Sequence, residues 1–267
     1  MYTDKILKGM KCMEQRIKAI LEKDNYNVYD MQEIVRILRS ENGCPWDKVQ
    51  THSSIKKDMI EEAYEVADAI DCCSAEMLRE ELGDVMLQAV FHSVIEEEKG
   101  VFTLDDVADE LCKKLIVRHP HVFGDVQADT VDKVLTNWDA IKKQTKGQET
   151  YTDTLESVPK NFPALMRAQK LGKRAARAGI DFETEDEIFS LIKTALSDIA
   201  VSKSEERKPT SEIADLLMLV TALARKNDVD CEEALADCCK EFITRFSQLE
   251  KSGRELKDIG ANELYSY

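Results

Sequence analysis

The sequence predicts an all-α protein built as two tandem helical bundles. Three observations predict it. Ten glycines, five prolines and 6% aromatic residues in a chain of 267 are too few for a turn-rich β protein. Apolar residues recur with helical spacing through most of the chain. A stretch near Glu212 faintly repeats one near Glu81, as expected where two bundles of one plan follow each other.

Composition also narrows function. A net charge of −15 argues against direct nucleic-acid binding, which needs a basic footprint. The eight cysteines, at 12, 44, 72, 73, 112, 231, 238 and 239, form no C-x-x-C, so they read as reduced thiols of a cytoplasmic protein rather than a zinc cage. No window reaches the length of a signal peptide's apolar core or of a membrane span.

Residues 1–29 carry Ile6, Met10, Met13, Ile17, Ile20 and Leu21 on one face, an appended amphipathic helix. Residues 31–39 form the next, stopped by Glu41-Asn42-Gly43 and followed by a loop, Cys44-Pro45-Trp46-Asp47. Trp46 can line a nucleotide pocket or cap the bundle core, and the cap is the expected role. Ser53 or Ser54 can cap a helix running to about Asp71. Ser74 can cap the next, which ends near Lys99 with Gly100 just beyond. Thr103 caps a third over 104–117. Ile60, Ala63, Tyr64, Ala67 and Ile70, and then Leu78, Leu82, Val85, Met86 and Ala89, are the expected buried stripes. Glu96-Glu97-Glu98 is expected to be a solvated face.

The chemistry gathers on the two helices around residue 71. Glu61, Glu62 and Glu65 share a stripe of about 100° on the first, and Glu81 and Asp84 lie about 60° apart on the second. Residues 66–80 suffice to turn the chain back antiparallel, so the two acidic stripes would face each other. Carboxylates roughly 5 Å apart repel by about 3 kcal/mol at an effective dielectric of 20. A converging set must spread, take up protons or hold a hard divalent cation, and Mg²⁺ is the natural guest because it leaves room for substrate phosphates. Gly83 within the second stripe costs about 1 kcal/mol relative to alanine, which fits a helix or metal coming close. Lys56 and Lys57 precede the acids and could reach a phosphate or pair along the helix. Lys114 and Arg118 share a face at i,i+4; residue type fits either phosphate binding or a favourable helix C-terminus. His119 and His121 flank Pro120 as a structural turn. Trp138 can stack a base or pack a core.

Cys44-Pro45-Trp46-Asp47, Glu61-Glu62-x-x-Glu65-Val66, Glu81-Leu82-Gly83-Asp84, Arg118-His119-Pro120-His121-Val122-Phe123-Gly124 and Asn137-Trp138, in this order, resemble the MazG family of all-α nucleoside triphosphate pyrophosphohydrolases. The resemblance covers residues 28–250. It implies hydrolysis of an NTP to NMP and pyrophosphate on Mg²⁺, with Mn²⁺ as a possible substitute, by a homodimer. It implies Glu62, Glu65, Glu81 and Asp84 as metal ligands. Lys114 and Arg118, with Lys56, would hold phosphates and Trp138 the base. Glu61, at i,i+4 from Glu65, is the candidate to orient the attacking water. The alternative is a non-catalytic helical dimer that binds nucleotide or a partner.

The expected organisation is an extension at 1–29, a MazG-like domain at 30–146, a linker at 147–161 and a degenerate MazG-like domain at 162–267. The linker is polar, and a basic helix follows it that could dock on an acidic surface. In the second domain Glu212 and Asp215 parallel Glu81 and Asp84, and Arg245 parallels Arg118. Thr194, Ala195 and Asp198 fall where Glu61, Glu62 and Glu65 would be, and Glu241 replaces Lys114. Weak metal binding by Asp198, Glu212 and Asp215 is the expected residue of function there.

Overall fold

Asn27, Ser74 and Thr103 each end one stretch of chain and start a helix, because a short polar side chain can accept from backbone N–H groups that the first turn leaves unbonded. Asn27 and Thr103 do so within capping boxes completed by Asp30 and Asp106, while Ser74 accepts from the Met77 N–H alone. The computed structural model describes residues 13–126, 130 and 150–265, and no strand occurs among them. The chain divides into two units, Met1–Val134 and Leu135–Tyr267.

In the first unit α1 is helical over residues 13–21 and is followed by α2 (Val28–Arg39), a 3₁₀ turn at Asp47–Val49, α3 (Lys56–Asp71), α4 (Ala75–Glu98), α5 (Leu104–Arg118) and the short α6 (Pro120–Phe123). Helices α3 and α4 form an antiparallel hairpin, with α2 and α5 packed on α4. Gly100 closes α4 with a φ of +70°, the left-handed conformation that glycine adopts without strain. The core is Val35, Ile55, Val90, Phe91, Val94 and Ile95, edged by Val28, Met31, Leu87 and Leu104. It therefore sits on the C-terminal half of α4.

That placement corrects the expected buried stripes. Ile60, Tyr64, Ile70, Leu82 and Met86 are each about half exposed, and Ala69 is the one buried residue of α3. Helical spacing located an apolar face on α3 and early α4, but within this unit the face has no cover. Glu96-Glu97-Glu98 is also not a solvated run. Arg36 binds Glu97 through two nitrogens at 2.7–3.1 Å, Gln32 adds a third donor, and Arg39 grips Glu98 at 2.8 Å. The Arg39 side chain, 5% exposed, also donates to the Asp47 and Gln50 carbonyls and lies over the Phe91 ring. One arginine thus ties α2, α4 and the 47–50 turn together. Trp46 is 59% exposed and caps no core in this unit.

The second unit contains α7 (Tyr151–Glu156), α8 (Ala164–Arg177), α9 (Glu185–Ser204), α10 (Thr210–Lys226), α11 (Cys231–Lys251) and a terminal turn α12 (Asn262–Tyr265). Helices α9 and α10 form the hairpin, with α8 on α10 and α11 on α8. Within the stretch expected as a linker, α7 is helical and packs on α8. Arg174 donates to the Thr154 carbonyl and to Ser157 Oγ, and Val158 is 1% exposed. Its polarity belongs to caps and helix ends, such as the Thr150–Asp153 capping box. Two cations of the basic helix α8 likewise work inside the unit: besides Arg174, Lys170 lies over Phe162.

Candidate metal centre

Glu62 on α3 and Glu81 and Asp84 on α4 meet across the hairpin. One carboxylate oxygen from each lies within 4.8 Å of the others, and all three residues are half-buried. Spacing explains the convergence: Glu81 and Asp84 are one turn apart on a single face, and the turn at Cys72, Cys73 and Ser74 folds α3 back against it. Glu65, exposed, lies one turn beyond Glu62 and outside the gathered group, and its charge bears on both Glu62 and Glu81.

The electrostatics are those of like charges gathered without a counter-ion. Glu62 is raised above its ordinary pKa by desolvation first, then by the charges of Asp84, Glu65 and Glu81. Glu81 is raised by desolvation, then by Glu65, Glu80 and Asp84. Among the described residues no lysine or arginine pairs with Glu62, Glu65, Glu81 or Asp84. An all-oxygen, anionic set of this kind fits a hard divalent cation, which would relieve the repulsion that now favours protons.

The remaining candidates are placed less closely. Glu61 is exposed on α3 and outside the cluster. Lys56 is exposed at the first position of α3, about 9 Å along the axis from Glu62. Lys114 is exposed on α5, and Arg118, half-buried, ends that helix. Trp138 lies outside the described residues. A β-carbon added at Gly83 would meet nothing within 4 Å, so the close approach expected there does not occur within the unit. His119 caps α5 as its Nδ1 meets the Leu115 carbonyl at 2.6 Å, consistent with a structural turn. Sequence reasoning passed over His52, just before α3, and His92 of α4, whose rings meet; they are 40 residues apart, and no local spacing signals them.

The second hairpin is electrostatically the opposite. Ser202 Oγ, itself on a fully buried residue, donates to Glu212 at 2.7 Å, Ser211 Oγ donates at 3.0 Å, and Arg207 stands 3.6 Å away. These hold Glu212 down at about 2, whereas Glu81 is raised. Register explains the contrast: Glu212 is the third residue of α10 and Glu81 the seventh of α4, so Glu212 lies about one turn nearer its hairpin turn. Asp198, Glu212 and Asp215 do not gather, since the Glu62, Glu81 and Asp84 group is the only such cluster among the described residues. Glu241 pairs with Arg245 at 2.7 Å.

Residues 50–123, which include the whole carboxylate cluster, match the family model described as the MazG nucleotide pyrophosphohydrolase domain. The chain is 38% identical over 242 residues to the nucleoside triphosphate pyrophosphohydrolase/pyrophosphatase MazG of Thermotoga maritima, covering 89% of this chain and 92% of that protein. The chain belongs to the MazG family. It is also 37% identical over 220 residues to the nucleoside triphosphate pyrophosphohydrolase of Escherichia coli K12, covering 81% of this chain and 84% of that one. The uncharacterized protein YabN of Bacillus subtilis is 42% identical over 240 residues, 87% of this chain and 49% of YabN. The MazG family likeness thus runs through both units, while the family model itself matches the first.

Proposed function

We propose that the first unit hydrolyses nucleoside triphosphates to NMP and pyrophosphate, with Mg²⁺ held by Glu62, Glu65, Glu81 and Asp84. The observation that carries this reading is the half-buried, unpaired carboxylate cluster inside the MazG domain. Bound there, Mg²⁺ (or Mn²⁺) would neutralise the triphosphate and polarise the α-phosphate. The chain's own residues do the rest. Glu61, a turn before Glu65, orients the attacking water. Lys56, Lys114 and Arg118 neutralise the β- and γ-phosphates, and Trp138 offers a ring face to the base.

Lys114 and Arg118 stand on α5 and Lys56 at the first position of α3, and the apolar face of α3 and α4 is uncovered. Tyr64 is 56% exposed and Leu111 and Leu115 of α5 are exposed with it. A homodimer that covers this face fits that exposure. The seven described cysteines are all free, which suits a cytoplasmic protein; among the described residues no helix is long and apolar enough to cross a membrane. We assign residues 162–267, extended to include α7, to a degenerate second MazG-like unit.

Glu65→Ala and Asp84→Ala are expected to lower pyrophosphate release at least 100-fold, the scale at which loss of a charge-organising ligand is felt, while circular dichroism stays helical. Near-wild-type release by both would remove the site assignment. Turnover in ¹⁸O-water should place the label in NMP; label in orthophosphate would mean attack at the γ-phosphorus instead.

A further inference from the structure

Helix α3 carries two of the four proposed ligands yet is thinly packed. Ala69 is its one buried residue, and its packing partner is α4. Its two ends add to that seating on α4. The C-terminal end is held by the tight turn, where the Cys73 and Ser74 N–H groups donate to the Ile70 and Ala69 carbonyls. The N-terminal end is held by Ile55, 2% exposed in the core, and by His52 just before it.

His52 Nδ1 lies 2.7 Å from His92 Nδ1 on α4, and His52 Nε2 lies 2.5 Å from Glu96 Oε1, one helical turn further along. The imidazole planes are 16° apart with centroids separated by 5.0 Å. That separation is the N···N distance plus one ring radius on each side, so the rings meet edge to edge in line, the geometry of an N–H···N bond. Lys99 Nζ, 2.6 Å from the same Glu96 oxygen, keeps that carboxylate ionised; its pKa is lowered by Lys99 first and by His52 second. A carboxylate only accepts, so His52 Nε2 carries the proton and donates. The Nδ1 of a neutral His52 is then a lone pair, and His92 Nδ1–H must donate to it. One arrangement of protons satisfies both bonds. A single added proton is still accommodated, because His52 can then donate from Nδ1 to the lone pair of a His92 whose own proton sits on Nε2; only when both rings are imidazolium does N–H meet N–H across 2.7 Å. The charged groups facing the pair are Glu96 and Lys99 of α4, while Arg39 of α2 is occupied by Glu98. Burial, then His52, holds His92 below the ordinary imidazole range.

We infer that His52 and His92 are positioning residues: as a neutral pair they clasp the start of α3 to α4 and so hold Glu62 and Glu65 opposite Glu81 and Asp84. The inference rests on reading that cluster as a metal site. Neither histidine touches a proposed ligand. Their effect passes through the seating of the start of α3 on α4.

Mn²⁺ titration of the full-length protein without nucleotide, following the free-ion electron paramagnetic resonance signal at pH 8, tests this. The proteins are wild type, Glu81→Gln, His92→Leu and His92→Asn. Asparagine keeps an N–H donor where Nδ1 stood, and leucine does not. His92→Leu should weaken Mn²⁺ binding roughly fivefold, the scale of couplings transmitted through packed elements, and His92→Asn should restore it to the wild-type level. Leucine binding as tightly as wild type, or asparagine binding as weakly as leucine, would overturn the clasp. Glu81→Gln binding Mn²⁺ like wild type would instead overturn the metal reading on which the clasp depends. If the leucine variant fails to fold, His92→Asn decides alone, and binding several-fold weaker than wild type overturns the clasp.

Discussion

Glu81 and Glu212 occupy matching places in the two E-x-x-D segments, yet their surroundings push them in opposite directions. One faces other carboxylates, the other two hydroxyls and an arginine. Residue type carries no such information; the neighbours across the hairpin do. Gly83 makes the same point from a different side. A β-carbon there meets no atom within 4 Å, so Gly83→Ala should stabilise the metal-free protein by about 1 kcal/mol, a rise of roughly 4 °C in Tm. A thermal melt that instead shows a lower Tm would mean that another body rests on this position, as a second copy of the chain would.

At the scale of elements, much was legible in the sequence. The starts of α4 and α5 at Ser74 and Thr103 and the stop at Gly100 were readable because capping is local, settled within four residues. The gathering of Glu62, Glu81 and Asp84 was readable too, since helical angles and one short turn suffice to bring them together. What was not readable is whatever depends on a third element. Periodicity marked apolar faces on α3 and early α4, but which face is covered depends on where α2 lies, and α2 covers the other half of α4. Glu96-Glu97-Glu98 looked solvated because Arg36 and Arg39, which bind it, are some 60 residues away. Arg39 is where this matters most. Arg39→Ala leaves two carbonyls and the α2–α4 contact unsupported, and the first unit should lose about 3 kcal/mol. Chemical denaturation of wild type and variant measures it; a loss under about 0.5 kcal/mol, that of an ordinary surface change, would show that Arg39 is not the bolt its burial suggests.

For the whole molecule, acid is expected to weaken the second unit through two identifiable carboxylates. Asp181, bound by Arg225 and Lys226, is lowered to about 2, as is Glu212. Both are depressed, so the unfolded chain binds more protons than the fold as pH falls. Their contribution is complete above the ordinary carboxylate range and is lost between there and about pH 2. Asp181→Asn should flatten that acid limb in melts of a fragment holding the second unit, and an unchanged limb would exclude the Arg225 pair as its source. The fragment's boundary is itself a prediction. Because α7 and Val158 pack on α8, a piece spanning 150–267 should melt several degrees above one spanning 162–267, and equal melting would make α7 an ornament. The way Ser202 holds Glu212 has one more implication, for evolution and for engineering. If the second unit is the degenerate copy proposed above, building a carboxylate cluster on the α9–α10 hairpin is not a matter of one point change. Ala195→Glu would put a carboxylate at a site 7% exposed, while Glu212, the counterpart of Glu81, remains bound to Ser202 about one helical turn nearer its hairpin turn. Neither change alone gathers a ligand set, so the proposed degeneracy behaves as a ratchet: single steps do not lead to a second site.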